Sequence, residues 1–185
     1  DLRYALEDPS YDKIRKVYEA NGASCDSLIM GENGILTREL ERTRATILHV
    51  TPFHSFPSGI TASASKRAEY IRWAVKRNGI IVEDDYDSEF TLSTKVEDTL
   101  FNMAPEGHVI YINSFARTIA PSIRIAYMII PRSLMNLYHQ RIGFYSCAVP
   151  VYEQLVLAEF IRSGDFERRI NKVRRKLRKQ MEGKK

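Results

Sequence analysis

Cysteine is almost missing from this chain. Cys25 and Cys147 are the only two in 185 residues, they are far apart, and neither belongs to a CxxC pair. Two thiols without a secretory context imply a reducing compartment, so a cytoplasmic location is expected. Long apolar runs are missing as well. None approaches the ~20 residues needed to cross a bilayer, and no charged-then-apolar leader opens the chain, so no membrane partner is expected. No Gly-x-Gly-x-x-Gly follows a strand-like run, which disfavours a dinucleotide-binding protein. No His/Cys/Asp set has metal-ligand spacing, and repeats and low-complexity segments are absent. What remains is ordinary in bulk. With 44% hydrophobic and 28% charged residues, the chain can bury one substantial core.

The net charge of +5 is unevenly spread. Residues 162–185 hold eleven basic and three acidic side chains, so this segment is +8 and the remainder −3. Within it Phe166, Ile170, Val173, Leu177 and Met181 recur at three- and four-residue spacing, which predicts an amphipathic helix with a basic outer face. Such a face suits nucleic acid. It equally describes a solvated helix at a domain edge, and no aromatic platform or binding motif accompanies the charge.

Periodicity gives the architecture. Strand-like runs fall at 3–6, 27–30, 46–50, 80–82, 109–112 and 125–130, with helical patterns at 11–21, 37–43, 63–78 and 98–103 between them. This alternation predicts an α/β fold, a mostly parallel sheet flanked by helices. Asn21-Gly22 and Asn78-Gly79 supply left-handed residues where two helices should stop. After Pro131 the pattern becomes helical, at 133–144, 151–162 and 165–181.

In open parallel sheets, ligands bind beyond the carboxyl ends of strands. Four segments here are predicted to lie at such ends. Leu6-Glu-Asp-Pro-Ser-Tyr11 leaves a strand, turns at proline and enters a helix. Tyr11 can face the site, or Ser10 can cap the helix while Tyr11 packs locally. Thr51-Pro-Phe-His-Ser-Phe-Pro-Ser-Gly59 is a loop whose path Pro57 and Gly59 fix. His54, taken alone, is a loop histidine. Glu83-Asp-Asp-Tyr-Asp-Ser-Glu-Phe90 crowds acids at a strand end, which is costly unless a cation or solvent offsets them. Strand alternation puts Asp84 and Tyr86 on one face and leaves Asp85 to cap the next segment. Tyr111-Ile-Asn-Ser-Phe-Ala-Arg-Thr-Ile-Ala-Pro-Ser-Ile-Arg124 is a strand end followed by a polar turn. Ser114 and Arg124 there offer a hydroxyl and a fork suited to a dianion.

Together these segments resemble the aminotransferase-like domain of MocR/GabR-type transcription regulators of the GntR superfamily, a fold type I pyridoxal-phosphate scaffold. In that family the turn reads Ser-Phe-Ser-Lys-Thr, and its lysine forms an imine with pyridoxal phosphate. Arg117 stands at that position. A guanidinium stays protonated and offers no nucleophilic nitrogen. The resemblance implies Ser114 and Arg124 as phosphate contacts, Asp84 for the pyridine nitrogen and Tyr86 for the ring oxygen. It places Tyr11 and His54 beside the cofactor, and Lys13 where some members carry a substrate-contacting arginine. Phe53 and Ser55 replace the family's serine and glutamine, and Ala116 replaces a serine. Four departures around one pocket suggest drift away from catalysis.

The resemblance further implies residues 1–131 as a partial large domain and 132–185 as helices leading toward a truncated small domain. A fragment is therefore expected, with the winged helix domain that would contact DNA outside the chain. The leading expectation is an effector-sensing domain without turnover, homodimeric. It would bind a small-molecule effector or phosphate-type anion, with pyridoxal phosphate noncovalent or absent. The alternative is a partial or relic pyridoxal-phosphate-dependent aminotransferase. A nucleic-acid module using the basic tail is a third reading. Because truncation or the drifted loops would already have dismantled the pocket, Arg117→Lys is expected not to restore cofactor attachment.

Overall fold

Five short apolar runs lie side by side and in parallel at the centre of the molecule. The computed structural model describes residues 2–86, 88–90, 97–104 and 107–182, excepting the side chains of Met181 and Glu182. Asp87, the Met181 side chain and residues 183–185, all used above, lie outside the described residues.

The elements run β1 (Arg3–Asp8), α1 (Asp12–Ala20), β2 (Ser24–Gly31), β3 (Gly34–Ile35), α2 (Thr37–Arg42), β4 (Ile47–Val50), α3 (Ala64–Arg77) and β5 (Ile80–Asp85). A 3₁₀ turn (Ser88–Phe90) follows, then α4 (Leu100–Met103), β6 (Val109–Ser114), α5 (Phe115–Thr118) and β7 (Ala126–Ile129). Three helices close the chain: α6 (Arg132–Arg141), α7 (Val151–Arg162) and α8 (Asp165–Glu182). The sheet order is β3-β2-β1-β4-β5-β6-β7. The five inner strands are parallel, and β3 and β7 pair antiparallel at the two edges.

Parallel strands covered by helices must be apolar on both faces. Leu28, Leu48, Ile81 and Val109 are fully buried along the sheet, with Tyr70, Trp73 and Ala74 of α3 packed over them. Both polar handles on α3 are satisfied. The Trp73 indole donates to the Leu40 carbonyl at 3.0 Å, and the Tyr70 hydroxyl accepts from the Ile35 amide at 2.8 Å. That second bond holds β3, a two-residue strand too short for periodicity to reveal. Gly34, at φ +119°, sits so close to Tyr70 Oη that a Cβ there would lie 2.5 Å from it. α3 opens on the Ser63 hydroxyl, which accepts from the Lys66 amide, and ends at Asn78 in the left-handed conformation (φ 49°).

The polar turn expected after β6 is instead a one-turn helix, α5. It is tied to the start of β7 by the Phe115 amide bonding the Ile125 carbonyl at 2.9 Å. Beyond Pro131, α6 and α7 contain no buried residue, whereas α8 returns to the sheet's rim through Ile170 and a Phe115–Phe166 edge contact at 5.9 Å.

Glu83 is fully buried inside β5, and its two oxygens accept the amides of Leu100 and Phe101 at 2.8 and 2.9 Å. It caps α4 from another element. Burial lifts its pKa to about 7, against the lowering effect of those two bonds. Glu83→Ala should leave two amides without an acceptor and destabilise the fold by about 2–4 kcal/mol. Glu83→Gln, which keeps one acceptor, should cost clearly less. Urea unfolding midpoints of the two variants check the ordering.

Candidate functional site

The carboxyl ends of β1, β4, β5 and β6 open on one rim. In the β5–β6 register Asp84 lies opposite Ile112 and Asp85 opposite Asn113, and Ser114 pairs with Ala126 at the start of β7. Arg124, two residues before β7, therefore comes to the same end as Asp84. Two adjoining cavities occupy this rim. The larger, about 900 Å³, is lined by His54, Tyr86, Ser114, Arg117 and Arg124 together with the α8 residue Arg169. The smaller, about 390 Å³, is lined by Tyr11, Thr51, Phe56, Asp84, Tyr86 and Arg117. All seven site residues expected from the sequence line one or both, and Tyr86 and Arg117 stand on the boundary. Lys13 lies 5.8 Å from the Tyr11 ring and lines neither.

Alternation along β5 sorts its acids. Asp84 and Tyr86 are partly exposed toward the cavities, while Glu83 and Asp85 are buried beneath. Asp85 accepts the Ser88 amide at 3.0 Å and hydroxyl at 2.6 Å, so it caps the following turn. It also accepts the Tyr111 hydroxyl at 2.7 Å, and Asn113 joins that hydroxyl to Glu89. The Tyr86 hydroxyl donates to the His54 carbonyl at 2.6 Å, which joins the acidic turn to the 51–59 loop. Arg117 lies over the Tyr86 ring, 5.7 Å from its centroid.

The two substituted loop residues point away from the cavities. Phe53 is 1% exposed and packs under the Arg67 guanidinium, 5.1 Å from its ring centroid. Ser55 is buried and donates to Glu7 at 2.6 Å. Neither lines the larger or the smaller cavity, and the loop's contributions to the cavity walls are Thr51, His54 and Phe56.

Two further groups were not singled out from the sequence. His49 on β4 accepts or donates at Nδ1 to the Tyr18 hydroxyl (2.7 Å), with its Nε2 3.6 Å from Asp84. A histidine inside the apolar run of β4 was the available signal. Arg169 is the other: its helix was expected, but only the fold turns it toward Arg124.

Protein-family models were searched and none matches the chain. It is 33% identical to the HTH-type transcriptional regulator YdeL of Bacillus subtilis, across 97% of this chain and 39% of YdeL. It is 26% identical to the rhizopine catabolism regulatory protein MocR of Rhizobium meliloti, across 92% of this chain and 34% of that protein. Among solved structures, the α-aminoadipate aminotransferase LysN of Thermus thermophilus superposes with a TM-score of 0.82 at 26% identity, covering 94% of this chain and 46% of LysN. The fold is thus that of a fold type I aminotransferase-like domain, present in part. The chain is similar to one part of MocR-type transcriptional regulators, and spans about two fifths of the curated relatives it matches.

Glu7, below the rim, is fully enclosed, and burial raises its pKa from 4.5 to about 8 despite bonds from Ser55 and the Thr51 backbone. The folded state therefore holds this proton over a range in which the unfolded chain has released it. Its contribution favours folding below about pH 4.5 and is lost as pH rises to about 8. Glu83 acts in the same direction. The thermal midpoint should fall between pH 5 and 8, and Glu7→Gln, which mimics the protonated acid, should flatten part of that fall. An equal slope in wild type and variant would show that Glu7 does not hold its proton.

Proposed function

We propose that this domain senses a small anionic effector reversibly and has no transaminase turnover. The observation that carries this reading is the lining of the two cavities: among the described residues it includes Arg117 and no lysine. The remaining donors suit the noncovalent half of a pyridoxal phosphate site. Ser114 and Arg124 can hold a phosphate, Asp84 can meet a protonated ring nitrogen, and the Tyr86 hydroxyl and His54 are close by. Pyridoxal phosphate, where bound, supplies an aldehyde for amine chemistry, and Arg117 gives this chain no amine to take it up. Lys66 is engaged elsewhere, 2.7 Å from Glu69 and 3.2 Å from Thr37.

In the whole regulator this domain would pass its ligand state to a DNA-binding domain outside the chain. Self-association would be part of that route. On α7, Val151, Tyr152 and Leu155 are 70%, 77% and 64% exposed, which is unusual for a soluble surface and supports pairing with a second copy. The relic-aminotransferase reading rests on the same fold and lacks the amine.

With pyridoxal phosphate added, the purified chain should show no band of a protein-bound imine, at roughly 420 nm, and borohydride should fix no adduct. An adduct mapped to any lysine of the wild-type chain would falsify the sensor reading. Because Phe53 and Ser55 face the core, the drifted loop no longer argues against rescue, and Arg117→Lys should gain a reducible adduct at position 117. Sedimentation of the chain should show a concentration-dependent dimer, and Leu155→Glu should weaken it.

A further inference from the structure

The larger cavity is unusual in its charge. Arg117 comes from α5, Arg124 from the loop before β7, and Arg169 from α8, so three segments separated in sequence each bring a guanidinium to one space. None of the described residues lining it is an acid. Asp84 lies in the smaller cavity, on the far side of Tyr86 and Arg117. Among the described residues neither Arg124 nor Arg169 forms an ion pair.

Arg169 is also held in place. Its Nε donates to the Thr118 carbonyl at 2.8 Å, and its Nη2 donates to the carbonyl of Ile119. Carbonyl bonds orient a guanidinium without neutralising it, so its full charge remains at the cavity wall. Arg174, five residues further along α8, donates to the Glu89 carbonyl and fixes the helix against the acidic turn. The rest of the wall is apolar, with Phe90, Pro121, Val173 and Leu177. A single phosphate at Ser114 and Arg124 would leave Arg169 uncompensated and most of the cavity unfilled.

We infer that this cavity binds a small organic ligand carrying two anionic groups on a short apolar spacer. One group is a phosphate or phosphonate at Ser114 and Arg124, and the other a carboxylate or second phosphate at Arg169 and Arg117. The inference rests on the sensor reading above and adds the ligand's chemical class. Binding is noncovalent, and because all three arginines are exposed to solvent it weakens with salt.

The test is a matched pair of probes, 3-phosphonopropionate and propylphosphonate, which share a phosphonate and a three-carbon frame but differ by one carboxylate. Titration calorimetry on the full chain should give at least tenfold tighter binding of 3-phosphonopropionate. Arg169→Gln should reduce that preference to within about twofold. Arg169→Lys, which keeps the charge, should retain most of it, and this separates loss of charge from loss of the α8 anchor. Arg124→Ala should weaken both probes together. Equal affinity of the wild type for the two probes overturns the inference, as does an undiminished preference in Arg169→Gln. If pyridoxal phosphate binds without an adduct while 3-phosphonopropionate does not bind, the two-anion site fails and the sensor reading stands. If borohydride fixes pyridoxal phosphate to a wild-type lysine, the sensor reading fails by itself.

Discussion

At the carboxyl end of β5, four consecutive polar residues must be divided between the two faces of a sheet. Strand geometry sends alternate side chains to opposite sides. Glu83 and Asp85 therefore go beneath the rim and Asp84 and Tyr86 above it. A buried carboxylate is tolerated only with partners. Glu83 takes the amides of α4, and Asp85 takes Ser88 and Tyr111. Those bonds fix where β5 ends and how the acidic turn leaves it, which in turn positions Asp84 and Tyr86. A one-residue slip would bury the site acids and expose the capping ones, so structure and site share one register.

Much of this was legible because it follows from period. The inner strands, α1 to α3 and the three C-terminal helices lie where apolar spacing puts them, and Asn78 ends α3 as its left-handed tolerance suggests. The motif residues reached a common rim because parallel strands put their carboxyl ends together. Other features depend on contacts far apart in sequence. β3 exists because Tyr70 accepts the Ile35 amide across 35 positions, and the burial of Ser55 is explained by Glu7, 48 residues earlier. The inward turn of Phe53 could not be told from an outward one without Arg67 above it. Local pattern contains none of these pairings.

The basic tail shows how composition can mislead without its fold. As a charge run it suggested either a nucleic-acid face or a solvated edge. In the folded chain part of that charge points inward: Arg169 and Arg174 grip backbone carbonyls around the site, while Arg175 and Lys176 face solvent. α8 is thus both a basic surface and a wall of the larger cavity. The short segments 115–119 and 88–90, to which it is bonded, carry Arg117 and follow Tyr86. On the proposed reading, a ligand that engages Arg169 acts on the same contacts that hold α8 in place.

On the proposed reading, arginine in place of lysine at position 117 has two separable consequences. It removes the amine, and with it a covalent bond whose exchange would be slow compared with simple dissociation. It also fixes a positive charge, since a guanidinium does not deprotonate in any accessible range. Charges of one sign gathered around an enclosed, dry cavity would be costly, because buried cations lose their hydration. Here the three guanidinium groups are exposed, so water screens their repulsion while an anion can still displace part of it. Openness is then a condition for the charge pattern. On the proposed reading it also favours ligands that come and go, as a sensor following a changing concentration requires.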